Sequence, residues 1–250
     1  MATMNRSQWN RLADTFETEV CDISREETTN QLACLVRLAA PSGDRSVLVD
    51  LGCGLGSFVL KYRQSFSRIV AVEFAPRIIA RAKKNCAGLK NVEWLNVDIA
   101  KAGRVIGAVA DLTVCLNVIT SPSPAVRNAL WKTVACVTKP NGHALIVVPS
   151  LESERMVQLL AGVDDGSKTA NAHDGLVLRD DAVQKHFRRS ELEPVLVRHG
   201  FVPVGIRRVH YPWRKEGLRK PRAAGDRSPW DWACLARRCK DGRRGIARGT

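Results

Sequence analysis

The sequence predicts an α/β fold in which a parallel sheet is covered by helices on both faces. Two observations carry this expectation. Short β-rich apolar runs of the kind buried on both faces alternate with helical stretches from residue 46 to residue 150. The length, 250 residues, is enough for one α/β domain with a full core, or for two small domains.

Taken in order, residues Trp9, Leu12, Phe16 and Val20 recur at spacings of three and four and predict a first helix, and a second is expected from Glu27 to Ala40. SVLVDLG (46–52) reads as a buried strand, FVLKYRQSF (58–66) as a helix and RIVAVEF (68–74) as the next strand. Pro76 opens a helix, because the first helical turn has no use for the N–H that proline lacks. NVEWLNVD (91–98) and DLTVCLNVI (111–119) supply two further strands, and Ser123 with Pro124 caps a helix that runs to Thr138. KPNG (139–142) reads as a turn and HALIVVPS (143–150) as the fifth strand.

Beyond Ser150 the rhythm changes. Residues 151–162 read as a helix, and the polar stretch 163–175 as a loop within a lid insertion over 163–189. Ser190 with Glu193 has the form of a capping box for a helix reaching His199. FVPVGIRRV (201–209) and WDWACLARR (230–238) read as the last two strands. The expected organisation is a helical cap over 1–42, a main domain over 43–240 and a basic flexible tail over 241–250.

The chemistry concentrates where the first strand ends. In DLGCGLGSF (50–58) three glycines, Gly52, Gly54 and Gly56, stand at alternate positions between a buried strand and a helix. Without a Cβ the backbone there can approach a ligand closely. The helix start behind it offers unpaired N–H groups and a positive dipole end to a phosphate or a carboxylate. A phosphate-binding P-loop requires GxxxxGK[ST] and a dinucleotide turn GxGxxG; the spacing here is GxGxG. A third reading is S-adenosylmethionine, whose carboxylate and amine would sit against the turn. Glu73 ends the second strand and suits a pair of ribose hydroxyls, those of a dinucleotide or of an adenosyl group. Asp98 ends the third, where it could accept from an adenine amino group while Ile99 packs on the ring. Acidic groups ending three successive strands line the carboxyl edge of a sheet, the edge at which open α/β folds bind ligands.

VLVDLGCGLGSF, IVAVEFAPRIIARAKKN, VEWLNVDIA, ADLTVCLNVI and KPNGHALIVVPS together resemble the successive motifs of class I S-adenosylmethionine-dependent methyltransferases, over residues 46–150 and more loosely through 191–209. The resemblance implies a doubly wound, mostly parallel seven-stranded sheet whose last strand lies antiparallel between its neighbours. It implies that Asp50, Gly52, Cys53, Gly54 and Gly56 hold the methionine portion of the cofactor and Glu73 its ribose. Phe74, Asp98 and Ile99 would form the adenine pocket, and Asn117 would lie beside the methionine amine and the methyl acceptor.

The acceptor is read from less regular segments. The chain has no Pro-Pro-aromatic run of the base-amino enzymes, and Cys115 sits in an apolar strand as core rather than as a nucleophile. The expected acceptor is therefore a small molecule, methylated at nitrogen or oxygen, and an anionic one would match the net charge of +14. His186, with Asp180, Asp181 and Lys185 nearby, and Tyr211, beside His210, are the candidate catalytic residues.

An alternative acceptor is RNA. From Gly205 onward there are 14 Lys/Arg against 4 Asp/Glu, mixed with Trp213, Trp230 and Trp232. The alternation WDWA instead makes the last two tryptophans core of a strand, the reading preferred here. A third reading is a catalytically silent binding scaffold. The eight cysteines show neither a CxxC pair nor metal-ligand spacing, which predicts reduced thiols and no metal. No long apolar run and no secretory layout are present, so a cytoplasmic protein without a membrane span is expected.

Overall fold

The computed structural model describes residues 4–39, 45–162, 174–179 and 182–240. Nine strands are described: β1 (Val47–Leu51), β2 (Arg68–Val72), β3 (Val92–Leu95), β4 (Ala110–Leu116), β5 (Thr138–Pro149), β6 (Leu176–Arg179), β7 (Ala182–Lys185), β8 (Phe201–His210) and β9 (Trp230–Arg238). Seven form one sheet in the order β3-β2-β1-β4-β5-β9-β8, while β6 and β7 pair with each other. The pairs among β1 to β5 are all parallel, and β9 runs antiparallel to both β5 and β8. The expected seven-stranded fold is thus the observed one, with the reversed strand between its neighbours.

Ten α-helices are found among the described residues. Four precede β1: α1 (Arg6–Arg11), α2 (Phe16–Glu19), α3 (Ile23–Glu26) and α4 (Gln31–Ala39). Then come α5 (Ser57–Tyr62), α6 (Pro76–Asn85), α7 (Ile99–Ile106), α8 (Pro124–Val137), α9 (Leu151–Ala161) and α10 (Arg189–Arg198). Alternate residues of each central strand enter opposite cores. Val49, Val70, Cys115 and Ile146 join Leu130, Trp131 and Val134 of α8 on one face. Leu48, Ile69, Leu112 and Leu145 join Leu35 of α4 and Phe58 of α5 on the other. This two-sided burial is why the strands read as continuous apolar runs. Among the described residues no helix is long and apolar enough to cross a membrane.

The proline starts hold. Pro76 follows the cap residue Ala75, and Ser123 caps α8 by accepting from the Val126 N–H. Other boundaries differ from the sequence expectation, each for a tertiary or side-chain reason. The first helical stripe is broken between α1 and α2, where α6 takes over the chain's polar groups. Arg81 donates to the Ala13 carbonyl and pairs with Glu17, and Arg77 pairs with Asp14. The second helix begins at Gln31 instead of Glu27, because the Glu27 carboxylate accepts from the N–H groups of Thr29 and Gln31. KPNG is an irregularity at the start of β5 rather than a separate turn, with the register slipping between Ala110 and Leu112. In α10 it is Glu191, not Glu193, that reaches back, to the Arg188 N–H, and the helix starts at Arg189. The expected lid loop 163–173 and the tail 241–250 lie outside the described residues.

Candidate functional site

The sheet order places β1 at the point where the connections reverse, with β2 on one side and β4 on the other. In an open α/β sheet that point opens a crevice beyond the carboxyl ends of the strands. A cavity of about 300 Å³ occupies it. The turn after β1 forms its floor. The N–H groups of Gly52 and Cys53 both donate to the Val72 carbonyl, at 2.8 and 2.9 Å, which ties the turn to β2. Gly52 has φ +83° and Gly54 φ +52°, a region that favours glycine. A Cβ on Gly52 would stand 2.4 Å from Val118 Cγ2, and one on Gly54 3.1 Å from the Phe16 ring.

Nine of the ten residues expected to contact cofactor line this cavity: Asp50, Gly52, Cys53, Gly54, Glu73, Phe74, Asp98, Ile99 and Asn117. Gly56 does not. It caps α5 instead, and a Cβ there would meet Cys86 Sγ at 2.9 Å, so its role is to let α5 and α6 pack closely.

The polar groups are held in different ways. Glu73 is buried and accepts from the Ala75 N–H at 2.9 Å; burial raises its pKa. Asp98 caps α7, accepting from the Ala100 N–H at 2.9 Å. Asn117, at φ +54°, donates from Nδ2 to Asp231 Oδ2 at 2.7 Å, while its buried Oδ1 has no hydrogen-bond partner. Asp50 is 2% exposed, and its Oδ2 is likewise buried without a partner. Burial, reinforced by the charges of Asp22 and Glu73, pushes its pKa up to about 8. A buried carboxyl in that condition is a receptor for a donor or a cation.

The roof comes from the N-terminal helices, with Trp9, Phe16, Val20, Asp22 and Ile23 among the lining residues. Thr28 bonds to the His210 carbonyl, and Lys215 donates to the carbonyls of Glu17 and Val20. Asp22, Val118 and Thr120 are lining residues that the sequence reading missed. Nothing local marks Asp22, which meets Asp50 only through the fold. Val118 and Thr120 stand just beyond Asn117 at the end of β4, so that strand end was the one available pointer to them.

Neither candidate catalytic residue reaches the cavity. His186 is 6% exposed, with its Nδ1 3.9 Å from Glu154 Oε2 and its N–H bonded to the Gly175 carbonyl. Tyr211 is 9% exposed and donates its hydroxyl to Glu216 at 2.7 Å. Burial and the charges of Asp231 and Glu216 raise its pKa, which keeps the phenol protonated. Both belong to the packing behind the site. Asp180 and Asp181 lie outside the described residues.

The charge expectation also changes. Four carboxylates line the cavity (Asp22, Asp50, Glu73 and Asp98), and among the described residues no Lys, Arg or His does. An anionic acceptor would find no counter-charge there. Part of the basic C-terminal region is already used inside the protein, since Arg214 and Lys215 both pair with Glu26. Trp213, Trp230 and Trp232 are buried, the last two on β9 as the alternation predicted, and Arg208 stacks on that pair from outside. Cys115 is core, with its thiol pushed up by burial.

The reversed seven-stranded sheet and the cavity over its glycine turn define a class I methyltransferase fold. Residues 48–142 match a family model described as a methyltransferase domain. Among solved structures, a S-adenosylmethionine-dependent methyltransferase from Methanosarcina mazei aligns at a TM-score of 0.61 and 17% identity, over 80% of this chain and 95% of that one. The 1,6-didemethyltoxoflavin-N1-methyltransferase of Burkholderia thailandensis, solved with 1,6-didemethyltoxoflavin and S-adenosylhomocysteine, aligns at 0.59 and 18% over 93% and 84%. Among curated relatives, the 23S rRNA (uracil(1939)-C(5))-methyltransferase RlmD of Alteromonas naphthalenivorans is 34% identical over 91 residues, 35% of this chain and 19% of that protein. Nodulation protein S of Sinorhizobium fredii is 24% identical over 111 residues, 44% of this chain and 50% of the relative. The chain thus spans half or less of these curated relatives. The chain has the fold of the class I S-adenosylmethionine-dependent methyltransferases.

Proposed function

We propose that the protein transfers a methyl group from S-adenosylmethionine to a nitrogen or oxygen of a small-molecule acceptor. The observation that carries this reading is the buried Asp50 carboxyl, whose Oδ2 has no hydrogen-bond partner, lining the same cavity as Glu73, Asp98 and the aromatic cap. That donor set fits the cofactor. Asp50 and the Gly52–Gly54 turn would hold its methionine portion, with the small Cys53 side chain between them. Glu73 would accept from the ribose hydroxyls; Phe74, Asp98 and Ile99 would frame the adenine, and Asn117 would mark the border with the acceptor. The cofactor supplies an electrophilic methyl group on a sulfonium. The chain supplies alignment and exclusion of water: Phe16 lies over Gly54, and Asp231 fixes the Asn117 amide.

Two measurements test this. S-adenosylhomocysteine should raise the melting temperature while NAD does not; a shift with NAD alone would overturn the cofactor assignment. Transfer of labelled methyl from the donor into a metabolite fraction, and not into RNA, is expected for the acceptor. The RNA reading draws on the partial rRNA methyltransferase relatives and on exposed Arg219, Lys220 and Arg222. Reversing those three charges should then weaken RNA binding and flatten its salt dependence. A silent scaffold would bind the cofactor and label nothing.

Because His186 and Tyr211 stand outside the cavity, His186→Gln and Tyr211→Phe should each retain turnover within about threefold. Tyr211→Phe should cost only about 1 kcal/mol of stability from the lost hydrogen bond. A hundredfold loss of kcat with the folded state intact would restore either residue as a proton-transfer group.

A further inference from the structure

We infer that the acceptor is an amine, methylated at nitrogen, and that Asp22 is the carboxylate that recognises it. This rests on the methyltransferase reading above and narrows its acceptor. Three of the four carboxylates facing the cavity are accounted for by the proposed cofactor contacts, and Asp22 is left over. It stands on the cap side, at the start of α3, where one of its oxygens accepts from the Ser24 N–H at 3.1 Å. Its charge is felt at Asp50, the buried carboxyl whose Oδ2 lacks a partner. With no cationic side chain lining the cavity among the described residues, the Asp22 carboxylate makes its end of the cavity select positive charge. Trp9, Phe16, Ile23, Val126 and Leu130 give the same cavity apolar walls. They suit an aryl or alkyl body behind the charged head.

The kind of base on offer points the same way. A hydroxyl acceptor must lose a proton to become a competent nucleophile, and among the described residues the cavity offers only weakly basic carboxylates for that, with no His, Lys or Tyr. A neutral amine needs no such help. The amine lone pair forms the new N–C bond as the donor's C–S bond breaks, and that bond's electron pair stays on sulfur. Positive charge therefore passes from sulfur to nitrogen, where the Asp22 carboxylate stabilises it. The methylated ammonium afterwards loses its extra proton to water. An amine that arrives protonated gives its first proton to water before attack.

Asp22→Asn isolates the charge, because asparagine caps a helix start as well as aspartate does. The probes are 2-phenylethylamine, 2-phenylethanol and phenylacetate, titrated into the S-adenosylhomocysteine complex by ligand-observed NMR. The wild-type complex should bind the amine at least about tenfold more tightly than the alcohol or the acid. In Asp22→Asn that preference should fall to within about twofold, with affinity for S-adenosylhomocysteine not weakened, since loss of the Asp22 charge eases ionisation of Asp50. Equal or tighter binding of phenylacetate, no binding of any probe, or an amine preference that survives in Asp22→Asn would each overturn the proposal. Failure of the wild type to bind S-adenosylhomocysteine at all would instead overturn the methyltransferase reading on which it rests.

Discussion

Asp50→Asn is expected to remove a pH dependence from the ligand-free protein and to weaken S-adenosylhomocysteine binding by about 10- to 100-fold. The Asp50 carboxyl is held near pKa 8 by burial and by the Asp22 and Glu73 charges, against 3.8 for a free aspartate. Below the lower value both folded and unfolded chains are protonated, and the group's contribution to stability is fully present. Between the two values the unfolded chain ionises while the folded one keeps its proton, so stability declines as pH rises, levelling off above about 8. The wild-type melting temperature should therefore fall across this window relative to that of Asp50→Asn. A ligand ammonium that pairs with Asp50 must find it ionised, so binding releases a proton in the same window. Affinity should rise by up to about tenfold per pH unit. Calorimetry in buffers of different ionisation enthalpy reads that proton directly. Parallel pH profiles for wild type and variant would remove Asp50 from the account.

Gly52→Ala is expected to destabilise the fold and close the cofactor site together. The position has φ +83°, and the new Cβ would stand 2.4 Å from Val118 Cγ2, the end of a short, stiff side chain that itself lines the cavity. Left-handed strain costs about 1–2 kcal/mol and overpacking about 1–3 kcal/mol. The sum corresponds to a fall of roughly 4–20 °C in a domain of this size. Relief by moving Val118 pushes it into the space the cofactor would use, so affinity should drop even in the folded fraction. Gly88→Ala is the control. It shares the positive φ, at +86°, but its Cβ would meet nothing within 4 Å. It should cost about 1 kcal/mol and leave cofactor affinity unchanged. Equal effects of the two substitutions on affinity would show that strain alone, and not the approach of Val118, governs the site.

The legible part of the site is the part built by strand ends. Asp50, Glu73 and Asn117 each stand at the end of a buried apolar run and Asp98 just beyond the half-buried edge strand β3, and parallel strands bring such positions to one edge whatever their spacing in sequence. Asp22 gave no such signal, since its distance from Asp50 depends on how the cap is pinned by Thr28, Arg214 and Lys215 to the chain between β8 and β9. For His186 and Tyr211 the side-chain chemistry suited catalysis, but residue type carries no information about burial; both are buried and neither is among the residues that line the cavity. The helix boundaries missed at Glu27 and Ser190 were decided by single carboxylates, Glu27 and Glu191, choosing among several reachable N–H groups.

By itself the sequence determined the alternation of buried strands and helices and the glycine turn after β1, because periodicity and turn chemistry are local; the seven-stranded order with its antiparallel strand came from the family resemblance. Only the tertiary structure decided which groups line the cavity. The net charge of +14 suggested an anion, yet among the described residues the cavity presents carboxylates and no Lys, Arg or His, because charge counts sum over a surface while recognition depends on the few groups the fold turns inward.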